Sequence, residues 1–346
     1  MAKAREVILI GSVPLQPAAE VFKTVSEHLG DVIRRMPDGE QLGWIAAMLK
    51  SFSNNPLLEI GAAIPLTDDP NGVAVPTFRL KAGQKVSDLQ LGPYGIAANA
   101  LNSYRAFKQL KQEQRIAPDM RFQVTIPGPV TSVATVNVPY EKLLPASEKA
   151  LLAEVKQILE TIPHEELTVQ YDLASEIYCE ELRRRPDDTL SPILRQGRCD
   201  FGQMAGAVAR LGNALPAEVE LGFHLCSIWH IHPRYGQDSH VHVDWANALS
   251  SNIQRPIGYL HMPSTPEDDE QSFAILRKLK LHPETKLYLG LIHSDGRECA
   301  RRRVEAARIS CSDFGIGYYC GLNAAYGITP QTLGALLDLH REVAEI

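Results

Sequence analysis

The run "GFHLCSIWHIH" at 222–232 places three histidines and one cysteine within eleven residues. His224 and Cys226 stand two apart, so on an extended strand their side chains share one face and can reach one ion. Imidazole nitrogen and thiolate sulfur are donors that hold zinc tetrahedrally, and a site short of four protein ligands keeps a position open for chemistry. His230 and His232, with His240 and His242, form a second cluster in "HIHPRYGQDSHVH". Two His-x-His pairs could bind another divalent ion or complete the first site. The preferred reading is a polar loop lining the pocket, from which one imidazole reaches a substrate. The six cysteines, Cys179, Cys199, Cys226, Cys299, Cys311 and Cys320, are scattered along the chain and do not form the dense framework of a small secreted domain. Reduced thiols are therefore expected, some of them free to bind metal.

Around these residues, β-branched and aromatic runs recur along the chain. They are "VILIGS" (7–12), "RFQVTIP" (121–127), "ELTVQYD" (166–172), "VELGFHLC" (219–226), "RPIGYLHM" (255–262), "LYLGLIHS" (287–294) and "FGIGYYCG" (314–321). Each reads as a strand. Ser12, Asp172, His224, Cys226, His261, His293 and Cys320 stand at the C-terminal ends of these runs. Any one alone is more often structural, since a lone cysteine usually behaves as a small buried hydrophobe. Their shared position is the signal, because in barrel enzymes that face builds the active site. Helical patterns at 95–114, 145–161, 201–214, 270–280, 297–310 and 330–346 lie between or after the strands. Such alternation marks an α/β protein with a parallel sheet covered by helices. An eighth strand, expected near "LLEIGAAIP" (57–65), would close a (β/α)8 TIM barrel. No linker or composition shift divides the chain, so one domain over 1–346 is expected, with 64–95 as an insertion across the mouth.

With 346 residues, 45% of them hydrophobic, the chain can bury a large core. A net charge of -6 and a pI near 6.0 argue against nucleic acid or an anionic membrane as partner, because both require a basic surface. A small-molecule substrate is expected. No run of eighteen apolar residues occurs, and the apolar stretch in "MAKAREVILIGSVP" is too short for a signal peptide, so a soluble cytoplasmic protein is expected. Oligomeric state is left open.

Several short motifs occur together in order: "ILIGS", Gly39–Glu40, "GPVT" (128–131), "VQYD" ending in Asp172, "HLC" (224–226), "LGLIHS" (289–294) and "CGL" (320–322). In order and approximate spacing they resemble the catalytic half of cobalamin-independent methionine synthase, over nearly the whole chain. The superfamily also includes uroporphyrinogen decarboxylase and epoxyalkane:coenzyme M transferase. The resemblance implies one zinc ion per chain, held by His224, Cys226 and Cys320. It places a glutamate ligand where this chain has His261, so His261 is the expected fourth ligand. By the same resemblance Ile10, Gly11 and Ser12 grip an amino-acid carboxylate, Glu40 and Asp172 hold its ammonium group, and His293 assists proton transfer to the leaving group. Two carboxylates facing an amine make physical sense, since charge-assisted hydrogen bonds orient a small zwitterion strongly.

The chain also departs from the family pattern. "DLAS" (172–175) replaces "DEPA", so Leu173 removes an acid that Glu176 would have to supply. After "GPVT" the sequence "SVATVNVPY" lacks the aromatic stretch that helps hold a pterin, and the donor-binding half is absent, so folate is a doubtful cofactor. The expected activity is a zinc-dependent transfer of a methyl or alkyl group to or from a metal-activated thiol or small molecule. The alternative is a metal-dependent lyase or hydrolase that cleaves a C–C or C–O bond of a small, even aromatic, substrate.

Overall fold

The structure, a computed structural model, describes residues 4–65, 74–184, 200–227, 237–266 and 269–346. Eight parallel strands form one sheet curled into a barrel: β1 (Val7–Ile8), β2 (Arg35–Pro37), β5 (Arg121–Pro127), β6 (Leu167–Leu173), β7 (Glu220–Leu225), β8 (Tyr259–Pro263), β9 (Lys286–Ile292) and β10 (Gly315–Tyr318). Two antiparallel strands, β3 (Leu58–Pro65) and β4 (Ala74–Leu80), form a separate hairpin. The barrel sheet runs β1-β10-β9-β8-β7-β6-β5-β2, and single bridges from Val7 to Ile33 and from Ser12 to Gly39 draw its two ends together. Strands β6, β8 and β10 are buried at every position, as expected where helices cover the outside and side chains fill the inside.

The expected barrel architecture is present, with its eighth strand elsewhere. The 57–65 segment does not close the barrel; it is the first arm of the hairpin, and β2 takes the barrel position beside β5. Three residues, one of them Arg35 and the last a proline, carry no alternation by which a strand can be read. The hairpin begins at Leu58, ahead of residue 64. Phe78 of β4 exchanges backbone hydrogen bonds with Thr135 and Asn137, which ties the hairpin to the loop after β5.

Helices cover the sheet at 96–112, 140–159, 201–213, 297–310 and 330–344, close to the expected spans, while 270–280 divides into a short helix and a 3-10 turn. The helix at 140–159 begins ahead of its expected start, so Pro145 lies within its first turns. Among the described residues four further helices, 18–29, 44–53, 175–183 and 239–252, carry the chain between strands. Among the described residues no helix is long and apolar enough to cross a membrane.

The barrel interior is layered. Its floor is an ion pair, Arg35 donating to both carboxylate oxygens of Glu220 at 2.7 and 2.5 Å and to the Tyr288 hydroxyl at 2.8 Å. The guanidinium also lies over the Tyr259 ring, 4.6 Å from its centroid. Small and large residues alternate across this layer. A Cβ on Gly222 would lie 2.1 Å from the Tyr259 ring, and one on Gly315 would lie 2.3 Å from the Tyr288 ring. Above the floor, Tyr259 donates to Gln170 Oε1 at 2.8 Å, and Gln123 donates to the Leu9 carbonyl at 3.0 Å. On this packed base rest the side chains at the C-terminal ends of the strands.

Candidate metal centre

Strand register decides which of those side chains meet. Asp172 of β6 pairs with His224 of β7, and His224 pairs with His261 of β8, so the three occupy one row across adjacent strands. Cys226 lies two residues beyond His224, just past the end of β7, with its amide donating to the Leu173 carbonyl at 3.1 Å. Cys320 follows β10, where the register slips between Ile316 and Tyr318. Gly321 lets this turn close on β1, since a Cβ there would lie 2.8 Å from Ser12 Oγ, and the Leu322 amide donates to the Ser12 carbonyl at 2.9 Å.

His224, Cys226 and Cys320 converge, with one ligand atom from each all within 4.8 Å of one another. Cys320 Sγ lies 3.7 Å from His224 Nε2 and 3.9 Å from Cys226 Sγ. With bonds of about 2.3 Å to sulfur and about 2.0 Å to nitrogen, a tetrahedral zinc ion separates its ligand atoms by roughly 3.5 to 3.8 Å. The donor types, and the two spacings measured from Cys320, therefore fit such an ion. His224 and Cys226 are buried and Cys320 is half-buried.

His261 is not in this group. Its Nδ1 faces His224 Nδ1 at 2.9 Å, and its Nε2 faces the backbone of β10 at Gly317 and Tyr318. Only one direction of the Nδ1 contact leaves a lone pair on His224 Nε2: His224 donates and His261 accepts. That arrangement fixes the tautomer a metal ligand requires. Burial, reinforced by the neighbouring His224, holds the His261 pKa well below its ordinary value, so it stays neutral.

The second histidine cluster is divided. His230 and His232 lie outside the described residues, as does Cys199, and His240 is exposed on the 239–252 helix. His242 is fully buried, its Nε2 2.9 Å from the Cys226 carbonyl, where an N–H supports the backbone of the cysteine ligand. Burial lowers its pKa to about 4. Among the described residues, the His224, Cys226 and Cys320 group is the one assembly of three potential metal ligands.

The two candidate acids lie beside the sulfurs. Glu40 adopts a left-handed backbone (φ 55°) after Gly39, with its amide donating to Asp38 Oδ1 at 2.9 Å. Its carboxylate accepts the Ser12 hydroxyl hydrogen bond, and a Cβ on Gly11 would lie 2.5 Å from its Oε1. Burial, together with the charges of Cys320 and Asp38, pushes the Glu40 pKa up to about 7. Asp172 is raised well above its ordinary value, first by burial and then by the charge of Glu40. Gln170 donates to Asp172 Oδ1 at 2.7 Å and also to the Ile10 carbonyl, joining β6 to β1 at this level. Glu176 does not replace the acid lost at Leu173. It is fully buried, and its oxygens accept from Val130 N at 2.7 Å and Thr131 Oγ1 at 2.5 Å, so it anchors the "GPVT" turn.

His293 is buried with Nε2 3.5 Å from Ser264 Oγ, and its ring lies 4.9 Å from that of Tyr319, the neighbour of Cys320. Burial and the nearby Arg303 charge lower its pKa to about 4. Arg303 itself is fully buried and bonds both oxygens of Asp295 at 2.7 Å, bracing the loop that carries His293. Sequence reasoning missed two tyrosines at the sulfurs. The Tyr178 hydroxyl lies 3.3 Å from Cys226 Sγ, and that of Tyr326 lies 3.7 Å from Cys320 Sγ. Neither stands at a strand end, so the pattern that exposed the other residues passes them by.

The fold and this mouth define a class: a (β/α)8 barrel with a His/Cys/Cys group at the C-terminal ends of its strands. Two solved structures share the fold over nearly their whole length. One is from Listeria monocytogenes, described as a candidate vitamin-B12-independent methionine synthase (TM-score 0.59, 14% identity, 99% of each chain covered). The other is a B12-independent methionine synthase from Shewanella sp. W3-18-1 in complex with selenomethionine (TM-score 0.59, 14% identity, 99% of this chain and 97% of that chain). At that identity the likeness shows the fold alone, and the fold is that of cobalamin-independent methionine synthase-like proteins. No protein-family model matches the sequence, and no curated protein matches it significantly.

Proposed function

We propose that this protein is a metal-dependent transferase that moves a methyl or other alkyl group to or from a thiol, with zinc as the metal. The observation that carries the reading is the convergence of His224 Nε2, Cys226 Sγ and Cys320 Sγ at the C-terminal ends of the barrel strands. His224, Cys226 and Cys320 would hold the zinc ion, which would supply the Lewis acidity that favours the thiolate form of a thiol substrate.

The remaining roles belong to the chain's own side chains. Glu40 and Asp172, both close enough to Cys320 to feel its charge, hold the ammonium group of a thiol amino acid. Ser12 keeps the Glu40 carboxylate in place. His261 orients His224 through Nδ1. His293, whose ring lies 4.9 Å from that of Tyr319 beside Cys320, assists proton transfer at the leaving group. The Shewanella neighbour was solved with selenomethionine, an analogue of the thioether that methylation of a thiol amino acid yields. Carried to this chain, it supports an amino-acid acceptor of that kind.

The test is elemental analysis of the purified protein beside Cys226→Ala and Cys320→Ala, followed by assays with thiol acceptors. About one zinc per chain, lost in both variants, with thiol consumption by the loaded protein, is the expected result. Metal content unaffected by both substitutions would exclude the site. Product formed from a single substrate with no thiol present would favour bond cleavage over transfer.

A further inference from the structure

We propose that Tyr178 and Tyr326 are positioning residues that donate their phenolic O–H groups to the two sulfur ligands, one to each, and so set how much charge those sulfurs give the metal. The proposal rests on the metal site described above and extends it. Tyr178 Oη lies 3.3 Å from Cys226 Sγ, and Tyr326 Oη lies 3.7 Å from Cys320 Sγ, within reach of a hydrogen bond to sulfur. The two arrive independently, Tyr178 from the helix after β6 and Tyr326 from the 3-10 turn after β10.

The direction of donation follows from the chemistry. A coordinating cysteine is a thiolate and can only accept, whereas a phenol retains its proton at neutral pH. Two thiolates and a neutral imidazole cancel the charge of a divalent ion, leaving a neutral site with little pull on a fourth, anionic ligand. Hydrogen bonds to the sulfurs draw electron density back from the metal. The site then acts as the stronger Lewis acid and favours a substrate bound as an anion, such as a thiolate.

Removing one such bond should raise the basicity of its sulfur by about 10- to 100-fold, the usual range for a hydrogen bond to a charged group. With a Brønsted coefficient of about 0.4 to 0.5, alkylation of that sulfur then accelerates by about 2.5- to tenfold. The experiment uses cobalt(II)-loaded full-length protein as wild type, Tyr178→Phe and Tyr326→Phe, with cobalt content measured in each. Sulfur-to-cobalt charge-transfer absorption and the rate of iodoacetamide labelling are the readouts.

The expected result is retained cobalt, a band moved to lower energy in each variant, and labelling faster by the stated factor. Wild-type protein grown with 3-fluorotyrosine, a stronger donor, should show the opposite band shift, a control that does not depend on either variant folding. Unmoved bands and rates with cobalt retained would overturn the proposal. So would loss of cobalt from a folded phenylalanine variant, which would make the hydroxyl a ligand. Failure of the wild type to take up cobalt would sink the metal site itself and the proposal with it.

Discussion

Replacing His261 with leucine separates a ligand from a residue that orients one. His261 is fully buried and meets the metal group through a single contact, Nδ1 to His224 Nδ1 at 2.9 Å. In His261→Leu the His224 Nδ1–H loses its acceptor inside the barrel, and an unpaired buried donor costs about 1 to 3 kcal/mol. His224 recovers that cost by rotating, which moves Nε2 away from the two sulfurs. At about 1.4 kcal/mol per factor of ten, zinc affinity should fall about 5- to 150-fold, overlapping the roughly 10- to 100-fold typical when a partner of a metal-bound histidine is removed. The assay is competition with a chelator of known affinity, monitored by metal content, with Cys226→Ala in parallel. Expected is weakened but measurable binding in His261→Leu and none in Cys226→Ala. If His261→Leu lost metal as completely as Cys226→Ala, His261 would be a ligand. If it bound as tightly as wild type, the orienting role would be refuted.

Three further outcomes are expected. Asp172→Asn should weaken binding of a thiol amino acid by about 10- to 100-fold while leaving a thiol without an amino group unaffected, as read by calorimetry; equal losses for both would remove Asp172 from ammonium recognition. Arg35→Met strands Glu220 in the barrel floor and should cost about 3 to 5 kcal/mol in urea unfolding, most of it restored by adding Glu220→Gln; a cost below about 1 kcal/mol would show that the floor pair does not matter. His340 is fully buried and its pKa is lowered from 6.5 to about 4, so between those values the unfolded chain binds the extra proton and stability falls as pH drops. The contribution reaches about 3 kcal/mol near pH 4, and His340→Leu should flatten the acid limb of the stability curve by that amount; an unchanged limb would place acid sensitivity elsewhere.

Much of the site could be read in advance because strand-end chemistry leaves a local mark. His224, Cys226 and Cys320 stand out by residue type and strand-end position, the resemblance to the methionine synthase pattern joins them as one ligand set, and the structure brings all three together. His261 shows the limit. It stands at the end of its strand as expected, yet whether it reaches the metal position depends on the rotation of two imidazoles across a register of parallel strands. Glu176 shows another. The side chain was a candidate substitute for a missing acid, but the backbone amides and hydroxyl of the "GPVT" turn take up its oxygens.

The sequence by itself determined the alternation of strands and helices, the parallel barrel and the row of reactive residues on one of its faces. Those follow from hydrophobic periodicity and from side-chain direction along a strand, both local properties. Tertiary structure alone decided that three polar residues, Arg35, Glu220 and Gln170, fill the barrel beneath the site and that "LLEIGAAIP" leaves the barrel for a hairpin. It also decided that Tyr178 and Tyr326 stand against the sulfurs. These outcomes join segments far apart in the chain, 185 residues between Arg35 and Glu220 and 48 between Tyr178 and Cys226. No local pattern encodes such a meeting, because it exists only once closure of the barrel has set the register.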